Sequence, residues 1–189
     1  MTRRRPPSIP ERRLVFIGCE GESEVAYAGL LQDMLREAGV HVHLVVRNLG
    51  RGAGDPLARV QLAVQRLEQL RRTRIAPPER FILLDGDQAA RDSARASCAR
   101  RLAAQEDIAI LWQKPCFEAL LLRHLPDCTT RRPLDTPEAV RVLNREWPGY
   151  TKPLSRAALA GRIDRAAVRR AAGVERELRA LLRCLGLED

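Results

Sequence analysis

The chain has 189 residues, 45% hydrophobic and 30% charged, with a formal net charge of +9. That size fits one domain with a core of its own, and the composition excludes a chain disordered throughout. No apolar run approaches the roughly 18 residues of a membrane helix. The opening MTRRRPPSIP also lacks a signal-peptide apolar stretch, so a cytoplasmic protein without membrane association is expected. Aromatics at 4% argue against stacking platforms for single-stranded bases.

The basic excess is unevenly placed. Residues 1–13 carry +4 and residues 155–183 carry +5, while residues 14–154 carry only +2. Basic ends around a nearly neutral middle suit a polyanionic partner, most often nucleic acid. Arginine abundance along the whole chain is the competing explanation. Lys114 and Lys152 are the sole lysines. The five cysteines, Cys19, Cys98, Cys116, Cys128 and Cys184, are scattered and form no CxxC pair. They read as reduced thiols rather than a zinc or disulfide framework.

Residues 1–11, with three consecutive arginines and three prolines, read as a flexible basic arm. Leu14–Cys19 is a continuous apolar run of the kind found in buried parallel strands. Tyr27, Leu30, Leu31, Met34 and Leu35 then recur at helical spacing, and Gly39 ends that helix. Val40–Arg47 alternates as a second strand. After the glycine-rich loop Gly50–Gly54, Asp55 is placed as an N-cap and Pro56 as the first helical residue. Leu57, Val60, Val64 and Leu67 form that helix's apolar stripe. Phe81–Leu84 is a third strand, running into Asp85-Gly86-Asp87. A helix is expected over roughly 88–105, a fourth strand over Ile108–Trp112, and a helix opened by Pro115. Beyond Pro126 only helices are expected, near 136–146 and from about 155 to 184.

This alternation predicts an α/β fold: a four-stranded, mostly parallel sheet flanked by helices, with a helical C-terminal part. The expected organisation is an arm over 1–11, a core over 12–154, and Arg-rich helices over 155–189 packed on that core. Ligands of such sheets bind beyond the carboxyl ends of the strands. The acids fall there: Glu20, Glu22 and Glu24 after the first strand, Asp85 and Asp87 after the third. Carboxylates crowded at neighbouring strand ends repel one another unless a cation sits between them, and hard oxygen donors suit Mg²⁺. A DxD turn can present both side chains to one cavity. The competing reading makes Glu20, Glu22 and Glu24 solvated acids at a helix N-terminus.

These residues carry a resemblance. Glu20-Gly21-Glu22-Ser23-Glu24 after one strand and Asp85-Gly86-Asp87 after a later one resemble the Toprim signature of topoisomerases, primases and overcoming-lysogenization-defect nucleases. The fuller resemblance is to the RloB-like family. It rests on Cys19-Glu20-Gly21-Glu22, the Gly-rich loop with its following Pro, the DxD, Lys114-Pro115-Cys116-Phe117-Glu118 with the leucine run to Arg123-His124, and Tyr150-Thr151-Lys152. It spans roughly residues 13–155. Lys114, Ala119 and Gly86 depart from the usual pattern without removing a carboxylate.

The resemblance implies a Toprim-like fold and a Mg²⁺-dependent nuclease, with Mn²⁺ as a substitute. The expected substrate is RNA such as tRNA, or DNA. The expected setting is bacterial anti-phage defence beside an AAA/ABC-type ATPase, and a homo-oligomer is compatible with it. Glu20, Glu24 and Lys152 are then the catalytic residues; Glu20, Asp85, Asp87 and Glu118 hold the metal. The alternative is a non-catalytic Toprim-fold subunit that docks the ATPase.

Other signals are weaker. Arg162, Arg165 and Arg169 recur at helical spacing, either as a nucleic-acid-binding face or as a solvated one. His41 and His43 share one strand face and read as a surface or packed pair. His124 reads as a packed histidine. The Gly50–Gly54 loop lacks the Gly-Lys-Ser/Thr ending of a P-loop, so nucleotide hydrolysis there is not expected.

Overall fold

The structure is a computed structural model that describes residues 12–50, 55–73 and 75–188. The predicted arm over 1–11 and most of the glycine-rich loop lie outside the described residues.

Four strands form one sheet: β1 Arg13–Cys19, β2 Val42–Asn48, β3 Glu79–Asp85 and β4 Ala109–Gln113. Their order is β2-β1-β3-β4 and all neighbours are parallel. Helix α1 (Glu22–Glu37) joins β1 to β2, and α2 (Pro56–Arg72) joins β2 to β3. Asp55 caps α2 by accepting from the Leu57 amide at 2.9 Å, as its position before Pro56 predicts. Beyond α1, Gly39 takes φ +66°, a left-handed turn that glycine adopts without penalty.

Alternation along β1 divides the core. Val15, Ile17 and Cys19 pack on the side of α1, whereas Phe16 packs on the side of α2. Each fully buried leucine or isoleucine contributes about 2 kcal/mol relative to exposure. The two crossovers therefore lie on opposite faces, and the direction in which strands are added to the sheet reverses between β1 and β3. That reversal opens a crevice at the carboxyl ends of these two strands.

The expected helix over 88–105 is two helices, α3 (Gly86–Arg91) and α4 (Ser93–Gln105). Asp92 separates them because its side chain caps α4 by accepting from the Arg95 amide at 2.9 Å. After β4 come α5 (Phe117–His124), a short 3-10 turn (Pro126–Cys128) and α6 (Thr136–Glu146). The expected helix over 155–184 is instead α7 (Arg156–Ala160), α8 (Arg165–Val174) and α9 (Arg176–Leu185). Gly161 ends α7 and Asp164 caps α8 through the Ala167 amide. Leu178, Leu181, Leu182 and Leu185 of α9 are fully buried in the cluster that holds α1 and α5. Among the described residues no helix is long and apolar enough to cross a membrane.

Candidate functional site

Strand register brings the acids together. Cys19 lies opposite Leu83, so Glu20 emerges beside the end of β3. Its Oε2 accepts from the Asp85 amide at 3.0 Å, locking the first acid to the strand end that carries the second. Asp85 Oδ1 in turn accepts from the Phe117 amide at 2.8 Å, in the first turn of α5. Glu24 occupies the first turn of α1, 4% exposed, with its carboxylate over Gly21: a Cβ there would stand 3.0 Å from Glu24 Oε2. Two helix N-termini thus face carboxylates, a favourable dipole arrangement. Glu22, the first residue of α1, is exposed.

A cavity of about 420 Å³ is lined by Glu20, Glu24, Asp85, Arg59 and Lys152. Burial pushes the Asp85 carboxyl up to about 8, with further upward pressure from Glu24, Glu20 and Glu118. Burial likewise raises Glu24 to about 6. Asp85 and Glu24 therefore bind protons more tightly than exposed acids, chiefly because burial disfavours their charged forms.

Glu118 stands behind the cavity, 1% exposed. Its Oε1 accepts from both the Tyr150 hydroxyl and Lys152 Nζ at 2.8 Å. Burial works to raise its proton affinity, but the Lys152 bond and charge outweigh it and hold the carboxyl below its ordinary value. Lys152 is correspondingly raised, the Glu118 carboxylate overcoming desolvation. The loop carrying Tyr150 and Lys152 is tied down a third time, where the Leu154 amide donates to Ser23 Oγ at 3.1 Å.

Asp87 goes elsewhere. β3 ends at Asp85 and helix begins at Gly86, so the strand alternation that would align residues two apart is broken. The Gly86 and Asp87 amides both donate to the Pro115 carbonyl, at 2.9 and 2.8 Å. Asp87 Oδ2 accepts from the Thr136 hydroxyl, and the residue lines a second cavity with Lys114, Arg123 and Arg132. Glycine suits position 86: a Cβ would meet the Gln113 carbonyl oxygen at 3.0 Å, a close contact that the neighbours would have to relieve.

The structure thus brings Glu20, Glu24, Asp85, Glu118 and Lys152 to one crevice and leaves Asp87 on its far side. Arg162 lies in the turn before α8, whereas Arg165 and Arg169 stand four residues apart on α8 itself. Arg162 lies over the Trp147 ring at 5.8 Å, Arg165 lines a cavity of about 380 Å³ against α1, and Arg169 bonds the Leu187 carbonyl. Sequence reasoning missed Arg59, 7% exposed, whose Nε is 4.0 Å from Glu20 Oε1 and whose Nη1 donates to the Leu49 carbonyl. Nothing in an arginine-rich sequence marks it out. It also missed Ser23 and the role of Tyr150 in fixing Glu118. His124 is packed as expected, with Nε2 2.9 Å from the Tyr27 hydroxyl and Nδ1 2.9 Å from the Leu120 carbonyl. His41 and His43 are exposed, and the five cysteines are free thiols.

The donor set suits a hard divalent cation. The acids are crowded, two of them hold their protons abnormally tightly, and Glu118 Oε2 is buried with no hydrogen-bond partner among the described residues. Among the described residues no group of three or more His, Cys, Asp or Glu is arranged to hold a metal ion by itself. Mg²⁺ would therefore be held through one or two carboxylates, with water completing its shell, which is its ordinary habit.

A family model described as RloB-like protein matches residues 15–180. The chain belongs to the RloB-like family. The match runs from within β1 into α9, so it takes in both strand ends, Glu118, Lys152 and part of the C-terminal helices. No curated protein and no solved structure matches the chain.

Proposed function

We propose that this RloB-like protein is a Toprim-like, Mg²⁺-dependent nuclease that hydrolyses phosphodiester bonds, with RNA such as tRNA as the preferred substrate. One observation carries the reading: Glu20 and Asp85, joined at adjacent strand ends, face Lys152 across a single cavity. In that cavity Glu20 and Asp85 are the residues to hold Mg²⁺, with Glu24 in support. Bound there, Mg²⁺ would supply an activated water and countercharge for the leaving oxygen.

The protein's own groups divide the remaining work. Glu24, poised near 6, exchanges a proton close to neutral pH, as a general acid or base must. Lys152, half exposed at the cavity edge, offers a point charge to a phosphate oxygen. Glu118 and Tyr150 hold that ammonium in place. The role of such a nuclease in anti-phage defence, controlled by an AAA/ABC-type ATPase, is part of the same proposal and rests on the family.

The test is a cleavage assay on labelled tRNA and duplex DNA with Mg²⁺, Mn²⁺ or EDTA. Metal-dependent cutting of tRNA in preference to duplex DNA is expected. Binding of RNA with no cutting under any metal, with the ATPase partner present, would overturn the reading.

A further inference from the structure

The second cavity, of about 640 Å³, is the larger of the two flanking the end of β3. It has a volume typical of a small-molecule site. Four cations line it, Arg100, Lys114, Arg123 and Arg132, against two acids, Asp87 and Asp135. Both acids are already engaged: Asp87 accepts from Thr136, and Asp135 caps α6 through the Glu138 amide. Arg123 is the unusual member. It is 1% exposed, yet it carries a guanidinium that is costly to bury. Its Nη2 donates to the Lys114 carbonyl and its Nε lies 2.6 Å from Glu175 Oε1, but Nη1 is buried with no hydrogen-bond partner among the described residues.

Much of the remaining lining is apolar. Trp112 and Pro115 contribute to it, and so does Leu134, 91% exposed at the rim. Leu134 is nonetheless held in place, its amide donating to Glu138 Oε2 at 2.8 Å. A site with an underused buried guanidinium, two rim cations and an apolar wall matches a nucleoside monophosphate, whose phosphate takes the cations and whose base takes the wall.

We infer that this cavity binds one nucleotide through its phosphate, with Arg123, Arg132 and Lys114 as the anion ligands and Leu134 against the base. Asp85 and Asp87 are two residues apart, at most about 7 Å along the chain. The cavity is therefore within reach of the nucleotide next to a bond cut at Asp85. Only that placement rests on the proposed hydrolysis; nucleotide binding itself does not. The same chemistry is offered by a nucleotide within an RNA strand and by a free mononucleotide.

The experiment measures binding in EDTA, with adenosine monophosphate and adenosine by calorimetry and with a labelled ten-nucleotide RNA by anisotropy. The proteins are wild type, Lys114→Glu/Arg132→Glu at the rim, Arg123→Lys, and Arg71→Glu/Arg72→Glu as an equal charge change on α2. Arg123→Lys keeps the buried charge but removes Nη1, and its fold is checked by thermal melting. If the free mononucleotide is a ligand, wild type binds adenosine monophosphate but not adenosine, and the rim variant binds it at least 10-fold more weakly. If only the strand is a ligand, the RNA alone shows that loss. In both cases Arg123→Lys weakens binding, while the α2 variant stays within 3-fold of wild type. RNA and mononucleotide binding indifferent to the rim variant, or weakened equally by the α2 variant, would overturn the inference. Rim variants that bind and cut like wild type sink this site and leave the hydrolysis standing. A wild type that binds nucleotide through the rim but never cuts does the reverse.

Discussion

Two cavities flank the end of β3, and they differ in almost every physical respect. The one on the Glu20 side gathers carboxylates, and in two of them, Asp85 and Glu24, burial and neighbouring acids raise the proton affinity. The one on the Asp87 side gathers guanidinium groups and an apolar wall. A change of two residues, from Asp85 to Asp87, moves a side chain from one to the other because strand turns into helix at Gly86. A DxD motif therefore does not by itself deliver two ligands to one ion. What decides is where the strand ends, and here the contact of Gly86 with the end of β4 fixes that point.

The largest expected difference lies at Glu20. Glu20→Gln keeps an acceptor for the Asp85 amide, so the fold survives, but metal-dependent cleavage falls about 10³-fold with RNA affinity retained. Single-turnover rates beside anisotropy check this. Next comes Lys152→Met. Removing the ammonium lowers cleavage about 10²-fold and leaves buried Glu118 with Tyr150 alone. The stability cost is about 1–2 kcal/mol, since Lys152 is half exposed, and Lys152→Arg recovers stability better than rate.

A smaller effect separates the cavities by pH. Asp85 and Glu24 bind protons more tightly folded than unfolded, so their contribution to stability is fully present below about pH 4. It is lost as pH rises through about 6 and about 8. In EDTA the melting temperature is expected to drop by about 5 °C between pH 5 and 8. Asp85→Asn should remove most of that slope, and Mg²⁺ should flatten it in wild type. The smallest effect is at the divider: Gly86→Ala costs about 1 kcal/mol, read as a melting shift of about 2–4 °C.

Much of this was legible in the sequence. Continuous apolar runs marked β1 and β3, alternation marked β2, Asp55-Pro56 marked the start of α2, and acids following the two runs marked Glu20 and Asp85. The remainder depended on local stops that periodicity does not register. Asp92, Gly161 and Asp164 break helices that read as continuous, and the last two part Arg162 from Arg165 and Arg169 on α8. Arg59 was invisible because burial, not residue type, singles it out. The divergence of Asp87 follows from a strand boundary one residue before it, a distance finer than any sequence pattern resolves.

The most direct test of the division between the cavities compares Asp85→Asn with Asp87→Asn in single-turnover cleavage of tRNA at saturating Mg²⁺. The account predicts that Asp85→Asn loses about 10³-fold and Asp87→Asn less than about 10-fold, the latter acting through nucleotide affinity. Equal, near-complete loss in both would contradict it, and would make the two cavities a single metal centre.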